Sequence, residues 1–223
     1  MDSYALFEFI EETSASLGRG VRVLDAGAGE CQYRDLFSDV RYVGVDLAVG
    51  EPEWDYRCLD AFSDVTALPF AAQTFDAVLC FQVLEHLPEP LQALCEFRRV
   101  MSPGGRLFLS TPQSWHQHQK PHDYFRYTSF GLRYLMQKAG LDVLSMKPMG
   151  GYFWFLAFQL QNMNYWLFPR GMKGRRWTLP LRVANAVLFQ LLLSLTLYYF
   201  DRFDRTKDET FGYVCVATRP HSA

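Results

Sequence analysis

Short apolar runs and stretches of helical periodicity alternate along most of the chain. The segments "VRVLDAG", "YVGVDL", "FDAVLCF", "GGRLFLSTP" and "LDVLSMK" are each apolar for about the length of one strand. Between them, "PEPLQALCEFRRVM" and "SFGLRYLMQKAG" carry the mixed spacing of surface helices. The second follows Thr128 and Ser129, whose hydroxyls can cap free amides, and stops at Gly140, a good helix end. Tyr4, Leu6, Phe7, Phe9 and Ile10 predict a further short helix over residues 4–16, ended by "GRG". Strands that are apolar throughout are buried on both faces. The pattern therefore predicts an α/β, doubly wound fold built on a parallel sheet. Near the end, "FGYVCVATRP" reads as one more strand, with Val214 and Val216 alternating against Cys215 and Ala217.

At 223 residues the chain has room for one ample domain, or for one domain with a sizeable insertion. A net charge of −2, with no Lys/Arg block to neutralise phosphates, gives no reason to expect a nucleic acid partner. The cysteines, Cys31, Cys58, Cys80, Cys95 and Cys215, form no CxxC pair, which suits the reduced thiols of a cytoplasmic protein. The N-terminal stretch "MDSYALFEFIEETSASLG" carries acids where an export signal needs bases, so export is not expected.

The chemistry begins in "VRVLDAGAGE". A strand ends at Asp25, and the turn Gly27-Ala28-Gly29 follows directly. Glycines there let the backbone approach a ligand and present N–H groups at a helix start. About one strand later "YVGVDL" ends at Asp46, placed to accept hydrogen bonds from ribose hydroxyls. The dinucleotide pattern GxGxxG fails at Gln32, and Asp25 and Glu30 flanking the turn suit a ligand with a cationic end.

Taken together, "VLDAGAGE", "VGVDL", "CLDAFSDVTALPFAAQTFDAVLCFQVLEHLPEP" and "FRRVMSPGGRLFLSTP" follow the order of motifs in class I S-adenosylmethionine-dependent methyltransferases. Over roughly residues 20–145, and again at the final strand, the chain resembles that family. Within it, the chain is similar to the branch containing quinone-biosynthesis methyltransferases and many saccharide- or small-molecule-modifying relatives. Glu30 departs from the pattern, standing where many members have a third glycine. The resemblance implies a Rossmann-like sheet of seven strands whose last strand is antiparallel, and S-adenosylmethionine as cofactor. It implies that Asp25, Ala26, Gly27, Ala28 and Gly29 cradle the methionine part and that Asp46 and Leu47 take the ribose and adenine face. Asp60, Ala61 and Phe62 would then meet the adenine edge, and Phe81 and Gln82 would close over the cofactor.

Methyl transfer from a sulfonium is an in-line displacement, accelerated largely by alignment. A hydroxyl or acidic-carbon acceptor also needs a base, for which a histidine is suited. His86, in "LEHL", lies beside the implied cofactor site, although in this family that position is often a helix-start residue packing below the site. The segment "STPQSWHQHQKPHDYFRYTSFGL" continues from the fourth apolar run and supplies His116, His118, His122, Asp123, Tyr124, Arg126 and Tyr127. Its HxH and His-Asp spacing could suit a metal, but the family's chemistry needs none and no metal is expected. Its "PHDYFRYT" resembles an element seen in this branch, which makes His122, Asp123 and Tyr124 the candidate acceptor-side residues, with His122 a candidate base. Arg126 is expected to pair or cap.

About sixty residues separate "LDVLSMK" from "FGYVCVATRP", strands that the family joins by a short connection, and a loop that long needs its own structure. The organisation expected is a cofactor-binding core over 1–150, a helical hydrophobic insertion over 151–205, and the last strand over 206–223. The insertion holds "GYFWFLAFQLQNMNYWLFP", a basic link "RGMKGRRW" with Arg170, Lys173, Arg175 and Arg176, and the uncharged "AVLFQLLLSLTLYYF". Two helices joined by a basic turn are predicted. From Ala184 to Phe200 the second would be about 25 Å long, short of a hydrocarbon core of roughly 30 Å. The last strand must also return to the sheet, and Gln159, Gln161, Asn162 and Asn164 are costly in lipid. The insertion is therefore read as a lid, a homodimer interface or a hairpin on a membrane surface. The resulting expectation is a cytoplasmic or membrane-peripheral methyltransferase acting at O, N or C of a small, hydrophobic or lipid-linked molecule. A sugar or glycan precursor is the alternative acceptor, and a non-catalytic methyltransferase-like docking module is the second alternative.

Overall fold

The computed structural model describes residues 2–51, 53–161 and 179–221. Seven strands form one sheet: β1 (Arg22–Ala26), β2 (Arg41–Asp46), β3 (Ala61–Phe62), β4 (Phe75–Phe81), β5 (Met101–Pro112), β6 (Asp142–Pro148) and β7 (Gly212–Thr218). Their order is β3-β2-β1-β4-β5-β7-β6. Pairing is parallel from β3 through β5. β7 then enters antiparallel to β5, with Leu109 opposite Cys215 and Leu107 opposite Ala217. Six of the strands coincide with the six apolar runs, and the doubly wound sheet with an antiparallel last strand is the one expected. β3 has no strand pattern of its own and exists because Val45 and Asp46 hold Ala61 and Phe62 in register.

Three helices accompany the sheet: α1 (Asp2–Ser16), α2 (Pro90–Val100) and α3 (Ser129–Lys138). Proline in the first turn of α2 loses no helical hydrogen bond. Its Ala93, Leu94, Phe97 and Val100, spaced three or four apart, are fully buried. Each large apolar side chain so buried contributes about 1.5–3 kcal/mol. Thr128 caps α3 by accepting from the Gly131 amide, and Gly140 ends it at φ +71°. One expected feature is missing: no regular helix follows the glycine turn. Only a 3-10 turn, Arg34–Phe37, stands there.

The chain divides into two compact units, a larger one of residues 6–147 and 212–223, and a smaller one of residues 1–5 and 148–211. In the smaller unit α4 (Tyr152–Gln161) packs against a long helical run, α5 (Leu179–Phe203). Phe211 is buried in an aromatic cluster with Trp154, Phe155 and Phe158. The Asp201 carboxylate caps α4, accepting from the amides of Gly151 (3.1 Å) and Trp154 (3.0 Å), and pairs with Lys207. α5 is 25 residues long, longer than the Ala184–Phe200 helix expected, and its middle, Ala186–Leu193, is π-helical. It begins before Ala184, with Pro180 accommodated in its first turn, and it runs past Phe200 in a last 3-10 turn. The predicted basic link and Asn162 and Asn164 lie outside the described residues.

Candidate active site

A cavity of about 660 Å³ opens where β1, β2 and β4 end. The carboxyl ends of the strands in an open α/β sheet are where ligands bind. Asp25, Gly27, Ala28, Gly29, Asp46, Leu47, Phe81, Gln82, His86, His122 and Tyr124 all line it. The structure thus brings together most of the candidates. Ala26 does not line it, being fully buried under the turn.

The turn is built differently from a phosphate loop. The Gly27 and Ala28 amides donate to Val45 O at 2.8 and 3.0 Å, and the Gly29 amide donates to Asp46 Oδ2 at 3.0 Å. The amides that would have met an anion are taken up by β2, and no helix follows to add its dipole. What the turn offers a ligand is therefore carboxylate. Asp25 is 3% exposed and accepts a hydrogen bond from Tyr42. Burial pushes its pKa up to about 6, so its charge is under-compensated. Asp46, held by the Gly29 and Ala48 amides, is fixed in place by 3.0 and 2.7 Å bonds. Gln82, the first residue after β4, is held at φ +56° by its amide bond to Ser110 O. Such left-handed backbone at a non-glycine residue concentrates at ligand sites.

Asp60, Ala61 and Phe62 lie outside the cavity. The Asp60 carboxylate is turned back onto the Gly44 amide (2.8 Å) and the Arg34 guanidinium, and the Phe62 side chain is 70% exposed. Ser63, Asp64, Val65 and Thr66 line the wall in their place. Tyr33 and Trp54, also in the lining, carried no signal beyond being aromatic residues near the glycine turn and after β2.

Beyond β5, Asp123 does not reach the cavity. It accepts two bonds from Arg126 (2.6 and 2.8 Å) and one from the His118 amide (2.9 Å). The Arg126 guanidinium holds its carboxyl well below the usual carboxylate range. Arg126 also donates to Trp115 O and His116 O, so it pairs and staples the loop as expected. His116 and His118 are stitched into the same loop. His86 Nδ1 lies 2.5 Å from His122 O. A carbonyl only accepts, so Nδ1 carries the proton and Nε2 carries the lone pair. Burial lowers the His86 pKa, which keeps the ring neutral.

Glu85 is fully buried, and neither carboxyl oxygen has a hydrogen-bond partner among the described residues. With His86 and His118 it brings three possible ligand atoms within 4.8 Å of one another. Burial pushes the Glu85 pKa up to about 8, so the acid is neutral at pH 7, and binding a cation there would first require its proton to leave. The native state keeps that proton up to about pH 8, whereas the unfolded chain loses it near 4.5. Stability therefore falls as pH rises through that window. Urea unfolding at pH 6.5 and 8 is expected to show a loss of about 1–2 kcal/mol. Glu85→Gln is expected to abolish that loss; an unchanged pH dependence in the variant would reject the assignment.

A methyltransferase-domain family profile matches residues 2–146, more than half of the chain. The ubiquinone biosynthesis O-methyltransferase of Hahella chejuensis is 27% identical over 177 residues, covering 72% of this chain and 65% of that protein. The demethylmenaquinone methyltransferase of Renibacterium salmoninarum is 37% identical over 101 residues, 41% of each. The chain thus spans between about two fifths and two thirds of the length of these curated relatives. Among solved structures, the 1,6-didemethyltoxoflavin-N1-methyltransferase of Burkholderia thailandensis, with bound 1,6-didemethyltoxoflavin and S-adenosylhomocysteine, superposes with a TM-score of 0.57 at 19% identity. That match covers 97% of this chain and 78% of the other, and it shows the fold. The sheet order and the profile agree: the chain belongs to the methyltransferase-domain family and has the fold of class I S-adenosylmethionine-dependent methyltransferases.

Proposed function

We propose that the protein transfers a methyl group from S-adenosylmethionine to an oxygen, nitrogen or carbon atom of a small acceptor, hydrophobic or lipid-linked in character. One observation carries the reading: Asp25 and Asp46 face a single cavity across a glycine turn whose amides point away from it. That arrangement suits a ligand with a cationic amino-acid end and ribose hydroxyls and disfavours a pyrophosphate. In this reading Asp25 takes the ammonium, Asp46 accepts from the ribose hydroxyls, Leu47 and Phe81 pack on the ring system, and Asp64 replaces Asp60 at the adenine edge.

The bound cofactor supplies an electrophilic methyl on a sulfonium, so that the S–C bond breaks as the acceptor–C bond forms. The chain's own part is to align the acceptor and, where the acceptor bears a proton, to receive it. His86 positions rather than accepts, since its Nδ1–H is committed to His122 O and its Nε2 is buried 3.8 Å from Glu85 Oε1, which leaves His122 on the cavity wall as the candidate base. His122 and Tyr124 border the same cavity and would orient the acceptor. Asp123 acts one step back, by fixing the loop through Arg126.

The glycan reading is weakened by that loop, because Asp123, Arg126 and His118 are engaged with one another rather than turned to a sugar. Incubation with methyl-labelled S-adenosylmethionine and fractionated host extract tests the proposal. Label is expected in the organic-soluble fraction. Label confined to the aqueous glycan fraction would favour the sugar acceptor, and cofactor binding without transfer to either fraction would leave the non-catalytic module standing.

A further inference from the structure

Along α5 the distribution of side chains is the reverse of that on a water-facing helix. Asn185, Ser194 and Asp201 are 8%, 2% and 6% exposed, while Leu188, Leu191, Leu192 and Leu195 are 45%, 57%, 53% and 52% exposed. Ser194 and Asp201 are satisfied within the smaller unit. The Ser194 hydroxyl lies 2.6 Å from Phe189 O and 3.4 Å from Ala157 O of α4, and Asp201 accepts the α4 amides. The Thr196 hydroxyl, on the exposed side, donates back to Leu192 O at 2.8 Å. A helix that turns its polar groups inward and its leucines outward is matched to hydrocarbon, where every polar group must be satisfied internally.

The composition of α5 and the residues at its ends favour lipid over a protein partner. α5 has a mean hydropathy of 1.6 over its most apolar window and is only 11% buried there, unlike the core helix of a water-soluble domain. Val183–Phe200 carries no charge, and its middle, Ala186–Leu193, is π-helical and wholly apolar but for Gln190. Arg182 stands at one end of that stretch, and Tyr198, Tyr199 and Arg202 gather at the other. Aromatic and basic residues at the margins of an apolar segment are the pattern of a membrane interface. A second copy of the chain would account for exposed leucines but not for this ordering of the ends. We infer that α5 is a lipid-facing surface that seats the smaller unit in a bilayer. Because β6 and β7 are neighbours in the sheet, the chain that leaves it must return to it, so the segment enters and leaves the lipid from one side.

Flotation of the full chain with phosphatidylcholine vesicles, with and without phosphatidylglycerol, tests this. The chain is expected to float with both, to stay bound in 1 M salt, and to lose at least ~100-fold in partitioning on Leu188→Glu/Leu192→Glu. Both sites are exposed, so thermal unfolding of that variant should match the wild type and show that it folds. Failure of the wild type to float would overturn the inference. So would binding only to anionic vesicles and reversed by salt, or a salt-stable dimer in lipid-free buffer that does not partition. The outcome is independent of methyl transfer, since neither leucine lines the cavity.

Discussion

Asp25→Asn is expected to weaken S-adenosylmethionine binding about 100-fold at pH 7.5, read by isothermal titration. A hydrogen bond to a charged partner is worth about 1.5–3 kcal/mol, and each 1.4 kcal/mol is tenfold in affinity. Asparagine keeps the shape and the Tyr42 contact but offers a cation no charge. The wild-type chain should show the same physics as a pH profile. Burial sets the Asp25 pKa at about 6, and a cationic ligand needs the ionised form. Affinity should therefore be level above pH 6 and fall toward tenfold per unit below it, while in Asp25→Asn this fall disappears. Wild-type affinity that is level from pH 5 to 7 would show that Asp25 does not meet the cation.

Gly27→Ala is expected to unfold the site rather than trim it. Gly27 sits at φ +91°, and an added Cβ would lie 2.4 and 2.6 Å from the two Val83 methyl carbons. Strained backbone at a non-glycine residue costs about 1–3 kcal/mol and overpacking a further 1–3 kcal/mol. Thermal unfolding should fall by roughly 5–15 °C, given about 2–4 °C per kcal/mol for a chain of this size, and cofactor binding should be lost. Adding Val83→Ala removes the clash but not the backbone strain, so the double variant should recover only part of the stability. A Gly27→Ala variant with wild-type unfolding temperature would mean that the turn is looser than its geometry implies.

The sheet was legible because its central strands, β1, β4, β5 and β7, are largely buried and so write continuous apolar runs. β6, at the edge, has no buried residue and was read from its apolar residues alone. Ala61–Phe62 was not, because two residues carry no period and owe their strand to Asp46 and Val45 alongside. Asp25 and Asp46 could be read from the chain because a strand end followed by a glycine turn fixes where they stand. Asp60 and Asp64 are four residues apart on either side of β3, and only the register decides which of them turns away from the cavity. The glycine turn suggested a helix start with free amides. The structure instead commits those amides to Val45 and Asp46, a tertiary pairing that no local pattern announces. In α5 the hydrophobic count was plain, but the inward turn of Ser194 and Asp201 depends on α4, far away in sequence.

The cavity lined by Asp25 and Asp46 is expected to hold S-adenosylmethionine through carboxylates rather than through backbone amides. Titrating the cofactor into the wild-type chain and into Asp46→Ala tests it most directly, because Asp46 both fixes Gly29 and faces the cavity. One-to-one binding by the wild type, weakened at least ~100-fold in a folded Asp46→Ala, is the result predicted. No binding by the wild type, or equal binding by both, would contradict it.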